Sequence, residues 1–340
     1  MKKNVILLAL TLFLIFPAHM VFAQRGTSRG DTINIRFGST LPRNSEWGKS
    51  LDRLAADWQR VTNNEVRVVV SHDGREGNES KMISSLSSNA IQAALFTTAG
   101  IMDICPDIMT LSIPFMIRNN EEFDLVKKDV LPIIESKKNR NYVIIAWSKG
   151  GWVYVFSKER IVTPEDMRRQ RLATGQELTG MNATLTRMGF TLIEADMTTM
   201  GNMLASNRIN ALYFIPSAIA PMNMHRSLGH MLDLPVAPIM GAIVMNATTW
   251  NRINPRHQQE IIRVTQDMVT NFEATLAESD KTAILNMSKD GLSVNKPDQA
   301  QEEMWYELLR TTIPALVGTD YDRDIYNRIN EILEKSRSGR

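Results

Sequence analysis

The stretch IRFGSTLPRNSEWGKSLDRLAADWQRVTNNEVRVVV, residues 35–70, decides the fold. Its start belongs to INIRFGST (33–40), whose alternation of apolar and polar residues predicts a strand. Trp47, Leu51, Leu54, Ala55, Trp58 and Val61 then recur at helical spacing and give one apolar face. Ser45 can cap that helix, and Asn63-Asn64 can end it. EVRVVVS (65–71) is β-branched and predicts a second strand. Working outward, the polar loop HDGREGNES leads to a helix carrying Met82, Ile83 and Leu86. AIQAALFTTAG (90–100) follows as helix end, turn and buried strand. Strand, helix, strand, helix, strand is the α/β pattern.

A second series starts near residue 143. YVIIAW and GWVYVFS read as strands. In TPEDM, Thr163 suits the N-cap, Pro164 the first helical position, and Glu165 and Asp166 the first turn. RLAT and FTLIEA read as strands. Between them Met181, Leu185 and Met188 share a helix face, with Gly189 at the helix end. Met200, Met203 and Leu204 mark a helix that stops near Asn207, and RINALYFIP (208–216) is a strand ending at proline. From about Pro255 to Lys289 the helical pattern hardly breaks; Ile261, Thr265, Met268, Val269, Phe272 and Leu276 lie along one stripe, and Gly291 ends it. A pattern beyond ~25 residues is unusual in a compact domain. The stripe drifts and lacks sustained heptads, so a helix crossing between two lobes explains it better than a coiled coil. QAQEEMWYELLRTTIPALV and YDRDIYNRINEILEK supply the last helices. A chain of 340 residues suits two lobes.

Composition excludes several function classes. A hydrophobic content of 43%, a charged content of 22% and a net charge of +2 give no field that would draw nucleic acid or an anionic membrane. Lys2 and Lys3, an apolar run from Val5 to Phe16, and HMVFAQ have the form of a signal peptide (1–23) cleaved after Ala23. An uncleaved membrane anchor is the alternative. Residues 24–31 then form a flexible leader. No cysteine lies near the cleavage site, so a lipid anchor is not expected. Cys105 is the only cysteine, which excludes an internal disulfide and suits a buried structural thiol.

Chemistry-bearing motifs are few. His225 and His230 are five apart, whereas two ligands on one helix face want a spacing of four, so the histidines, His72 and His225 among them, read as surface or loop residues rather than a metal site. No nucleophile elbow or phosphate-binding loop occurs. The paired acids Glu121-Glu122 and Glu302-Glu303 lie in polar helical stretches and read as solvated faces. An exported two-lobe α/β protein without a catalytic kit points to a binding protein that holds ligand between its lobes.

Five segments carry a resemblance: the opening stretch, SIPFMIRNNEEF (112–123), VFSKERIVTPEDMRRQRLAT (155–174), GFTLIEADMTTMGNMLASNRINALYFIP (189–216) and IVMNATTWNRINPRHQQEIIRVTQD (243–267). In order and spacing the sequence resembles the periplasmic substrate-binding subunit of TRAP transporters, the DctP type. The resemblance implies a two-lobe periplasmic-binding-protein-like fold, with lobe I from 32–148 plus about 240–275. Lobe II takes 149–239 plus about 276–332, with the C-terminal helices. It implies a periplasmic, non-enzymatic receptor without cofactor or metal. Its partners would be a small-molecule ligand and the small and large membrane permease subunits, with a helical-repeat (TPR) periplasmic protein as a further partner.

In the usual member, an arginine in the strand matching RLAT grips the ligand's carboxylate in a two-pronged salt bridge. A second arginine often occurs in the strand matching WSKGGWVYV. Aligned through TPEDM, these positions fall on Ala173 and Trp152. Arg168, Arg169 and Arg171 stop just short. Losing two charged hydrogen bonds, each contributing ~1.5–3 kcal/mol, would remove most carboxylate affinity. Burying ~200 Å² of apolar ligand surface would offset it with ~5 kcal/mol. The expected ligand is therefore hydrophobic or amphipathic. Its expected contacts are Trp47, Thr97, Thr98, Trp152, Ala173, Tyr213, Phe214 and Pro216, core packing being the alternative for each aromatic. An organic-acid receptor with a relocated arginine, Arg36 or Arg67, is the second reading. An exported hydrolase, which needs a Ser or Cys beside a His, is the third, and a sensor partner is a fourth.

Overall fold

Strand β1 (Ile33–Gly38) alternates buried and exposed residues along its first four positions. The computed structural model describes residues 32–175, 179–195 and 199–339; the expected signal peptide and leader lie outside them. Helix α1 (Glu46–Val61) starts at Ser45, whose hydroxyl accepts the Gly48 N–H, and buries Leu51, Leu54 and Trp58. Asn63 and Asn64 take the left-handed region at φ 50° and 64°, which turns the chain into β2 (Val66–Ser71). β2 lies parallel to β1, with Val66 opposite Ile33. Helix α2 (Glu79–Ser87) leads to β3 (Ala93–Thr97), parallel to β1 on its other side. The short α3 (Thr98–Ile101) and a 3-10 stretch, Pro106–Ser112, lead to α4 (Asn120–Lys137).

β4 (Tyr142–Ser157) is one strand where the sequence pattern suggests two. The break in the pattern is a bulge between Lys149 and Gly151, and Gly151 sits at φ +115°, a conformation that suits glycine. Next come α5 (Pro164–Arg168), β5 (Arg171–Thr174), α6 (Thr179–Arg187), β6 (Thr191–Glu194), α7 (Met200–Ala205) and β7 (Ala211–Phe214). Thr163 and Asp166 close a reciprocal capping box on α5. Short elements α8 (Pro216–Ile219), α9 (His225–Leu228) and β8 (His230–Leu232) precede β9 (Ala237–Asn246) and α10 (Ala247–Trp250). The chain ends with α11 (Pro255–Lys289), β10 (Ser293–Asn295), α12 (Gln299–Thr312) and α13 (Arg323–Ser338).

The strand order β2-β1-β3-β9-β4-β7-β5-β6 makes β4 the shared element. Between Tyr142 and Val153 it pairs with β9, and from Tyr154 to Ser157 with β7. The molecule is thus two α/β lobes joined through β4. Helix α11 makes the second connection. Asn254 caps it, Pro255 occupies its first turn, and Gly291 at φ +100° follows its end. Ile261 and Val264 pack in the core of β1, β2 and α1, whereas Ala283 and Met287 pack in the core of β5, β7 and α7. At 1.5 Å per residue its 35 residues span about 52 Å, enough to serve both.

The first lobe fastens α11 through Trp58, which is fully buried and donates its indole N–H to the Thr265 hydroxyl at 2.9 Å. Thr265→Val keeps the shape but removes the acceptor. It should cost about 1–3 kcal/mol, the desolvation penalty of an unpaired buried donor. Urea denaturation checks this; an unchanged midpoint would mean that the indole finds another acceptor.

Candidate functional site

Of the residues expected to meet ligand, Ala173, Tyr213 and Phe214 lie on the β4–β7–β5 sheet and divide between its two faces. Tyr154 lies opposite Phe214 and Val155 opposite Tyr213 in the antiparallel pair. Phe214 and Tyr154, both half-buried, pack against a core that contains Ala173, Phe156, Met203 and Leu212. Ala173 is only 3% exposed within it. Tyr213 packs on the opposite side, beside an apolar cavity lined by Phe115, Val155, Leu172, Met181 and Trp305. Its hydroxyl lies 3.2 Å from that of Thr174, which also bonds Asn182. Pro216 begins α8 and is buried. The structure therefore groups Ala173 with Phe214, and sets Tyr213 apart from them.

Trp152 turns toward α4. Its indole N–H donates to the Asn120 side-chain oxygen at 2.7 Å, and its ring meets Phe123 edge-on at 6.4 Å. The same oxygen receives the Lys149 ammonium at 2.8 Å. Burial pulls the Lys149 pKa below its ordinary value, and the ammonium also stands 5.1 Å from the Phe123 ring centroid. Trp47 stacks on Phe272 of α11 with centroids 3.7 Å apart. Thr97 donates its N–H and hydroxyl to Glu79, and Thr98 both donates to and accepts from the Met240 backbone. Both threonine hydroxyls are thus engaged within the protein.

The arginines beside Ala173 stay outside this region. Arg168 pairs with Glu165 at 2.9 Å, Arg169 pairs with Asp166, and Arg171 donates to the carbonyls of Asn207 and Arg208. Arg36 and Arg67, the candidates for a relocated cation, take the exposed positions of β1 and β2. Two readings need correction. Glu122 is not on a solvated face: it is 3% exposed and receives Arg337 through two hydrogen bonds, of 2.9 and 2.8 Å. His72 and His225, read as surface or loop residues, are each 4% exposed and bond Asp52 and Asp290. Among the described residues no serine or cysteine is bonded to a histidine, and no group of three or more ligating side chains could hold a metal. Cys105 is buried, and burial pushes its thiol up to about 12. No described helix is long and apolar enough to cross a membrane.

Sequence reasoning missed Lys149 and Asp280. Each left a signal: Lys149 interrupts the strand IIAWSKGGWVYV, and Asp280 falls one turn after Leu276 on the apolar stripe of α11.

The model of the bacterial extracellular solute-binding protein family 7, DctP, matches residues 37–317, which takes in both lobes and the crossing helix. The chain belongs to this family. Two solved structures show the fold that this solute-binding protein shares. A TRAP periplasmic solute-binding protein from Desulfovibrio salexigens with bound orotic acid is 15% identical, with a TM-score of 0.78 over 89% of this chain and 99% of that one. One from Sulfurospirillum deleyianum with bound succinate is 14% identical, with a TM-score of 0.74 over 88% and 98%. An uncharacterized protein of Haemophilus influenzae is 20% identical over 77% of this chain and 80% of its own. Solute-binding proteins of this family are receptors for small molecules, and that is the function of this chain.

Proposed function

We propose that this receptor is exported to the periplasm by the signal segment 1–23 and serves a TRAP-type secondary transporter. It captures a hydrophobic or amphipathic small molecule between lobes I (32–148 plus about 240–275) and II (149–239 plus about 276–332) and delivers it to the membrane permease. One observation carries the ligand class. The position where the resemblance expects a carboxylate-binding arginine is Ala173, 3% exposed among Phe156, Met203 and Leu212. Phe214 packs on that core, and Trp47, Trp152, Pro216, Thr97, Thr98 and Tyr213 are the further contacts of this reading. The absence of a guanidinium at Ala173 and Trp152 favours apolar contact over ion pairing.

The test is to denature the purified protein and identify any co-purified small molecule by mass spectrometry. An uncharged or amphipathic compound at one per chain is the expected result. A stoichiometric dicarboxylate would replace this reading with an organic-acid receptor.

A further inference from the structure

Asp280 breaks the apolar stripe of α11 between Phe272 and the pair Ala283 and Met287. Its carboxylate is held from one side by Ser217, whose backbone N–H donates at 2.9 Å and whose hydroxyl adds a second bond. Ser217 is the second residue of α8, directly after Pro216 and three residues beyond Phe214 at the end of β7. On the other side lies Gly151, in the bulge of β4. A Cβ there would stand 3.4 Å from Asp280 Oδ2 and 3.1 Å from Ile215 Cγ2. The next residue is Trp152, and Tyr154 follows, its phenol pushed up to about 12 by burial and by the charges of Asp233 and Asp280. Burial raises the Asp280 carboxyl above its ordinary value, the Ser217 hydrogen bonds oppose that, and no charged neighbour contributes. A carboxylate is therefore fixed where the two lobes join, and among the described residues no cation pairs with it.

We propose that Asp280 is a specificity-determining residue that excludes ligands presenting an anion to the hinge, leaving the cleft to uncharged or cationic groups. Like-charge juxtaposition is an effective way to reject a competitor, independent of how well the true ligand fits. The inference rests on the apolar-cleft reading and adds a repulsive element to it.

Succinate is the probe, measured by titration calorimetry on wild type, Asp280→Asn, Trp152→Arg and the double variant. Asparagine keeps a side-chain oxygen for the Ser217 N–H, so an unchanged denaturation midpoint should accompany Asp280→Asn. The double variant should bind succinate at least tenfold more tightly than Trp152→Arg alone. No gain from Asp280→Asn in either background overturns the role of Asp280 and leaves the apolar-cleft reading standing. Micromolar succinate binding by the wild type overturns both.

Discussion

Ala173→Arg should destabilise the protein by at least about 3 kcal/mol, an effect on folding before any effect on ligand choice. Ala173 is 3% exposed, with Met203, Leu204 and Leu212 in the same core, so a guanidinium there is both too large and unpaired. Overpacking alone costs about 1–3 kcal/mol, and an uncompensated buried charge adds several more. Equilibrium denaturation in urea measures the loss. Wild-type stability combined with new succinate binding would show that the side chain at this position reaches the cleft rather than the core.

Arg337→Leu should be the second large effect. Arg337, near the end of α13, forks onto Glu122 and also donates to the Met116 carbonyl at 2.7 Å. The Glu122 side chain is 4% exposed and that of Arg337 is 32% exposed. Removing one partner of a fully buried pair costs about 3–5 kcal/mol. Solvent screening of the arginine reduces the expected loss to about 2–3 kcal/mol. The effect depends on pH in a definite direction. Burial pushes the Glu122 carboxyl up, but the Arg337 and Arg118 hydrogen bonds and both their charges outweigh it, so its pKa lies below the ordinary 4.5. A depressed acid contributes stability that is present above the ordinary value and is lost as pH falls through the folded one. The gap between wild type and Arg337→Leu should therefore be full at neutral pH and shrink below about pH 4. Denaturation midpoints at several pH values check it, and a gap constant down to acid unfolding would rule out the ion pair as its source.

Where one face of an element met solvent, the fold was legible. β1, β2 and α1 announced themselves because their polar faces alternate with buried ones, and Ser45, Asn63 and Asn64 marked the turns. β9 gave no such contrast. APIMGAIVMN is buried along almost its whole length, so its apolar run has no period, and sequence reading assigned no element to it. The site was less legible than the fold for a related reason. Ala173 and Trp152 were found by alignment with a family pattern, but which face of the sheet the Trp152 side chain meets depends on the bulge beside Gly151. Glu122 looked solvated because its partner lies 215 positions away in sequence. Asp280 was hidden because one acid on a helix stripe looks like the edge of a polar face until Ser217 and Gly151 are placed against it.

The position of β9 has a consequence for the order in which the sheet closes. It lies between β3 and β4, and pairs with both, although the chain makes it about ninety residues after β4 begins. During synthesis, β1, β2 and β3 therefore emerge with an open edge that cannot close on β4. Non-local pairing of this kind is slow and comes late. That edge is covered only once residue 246 has been made. The same gap leaves an unpaired strand edge exposed for as long as synthesis is incomplete, and an open edge is a template for aggregation.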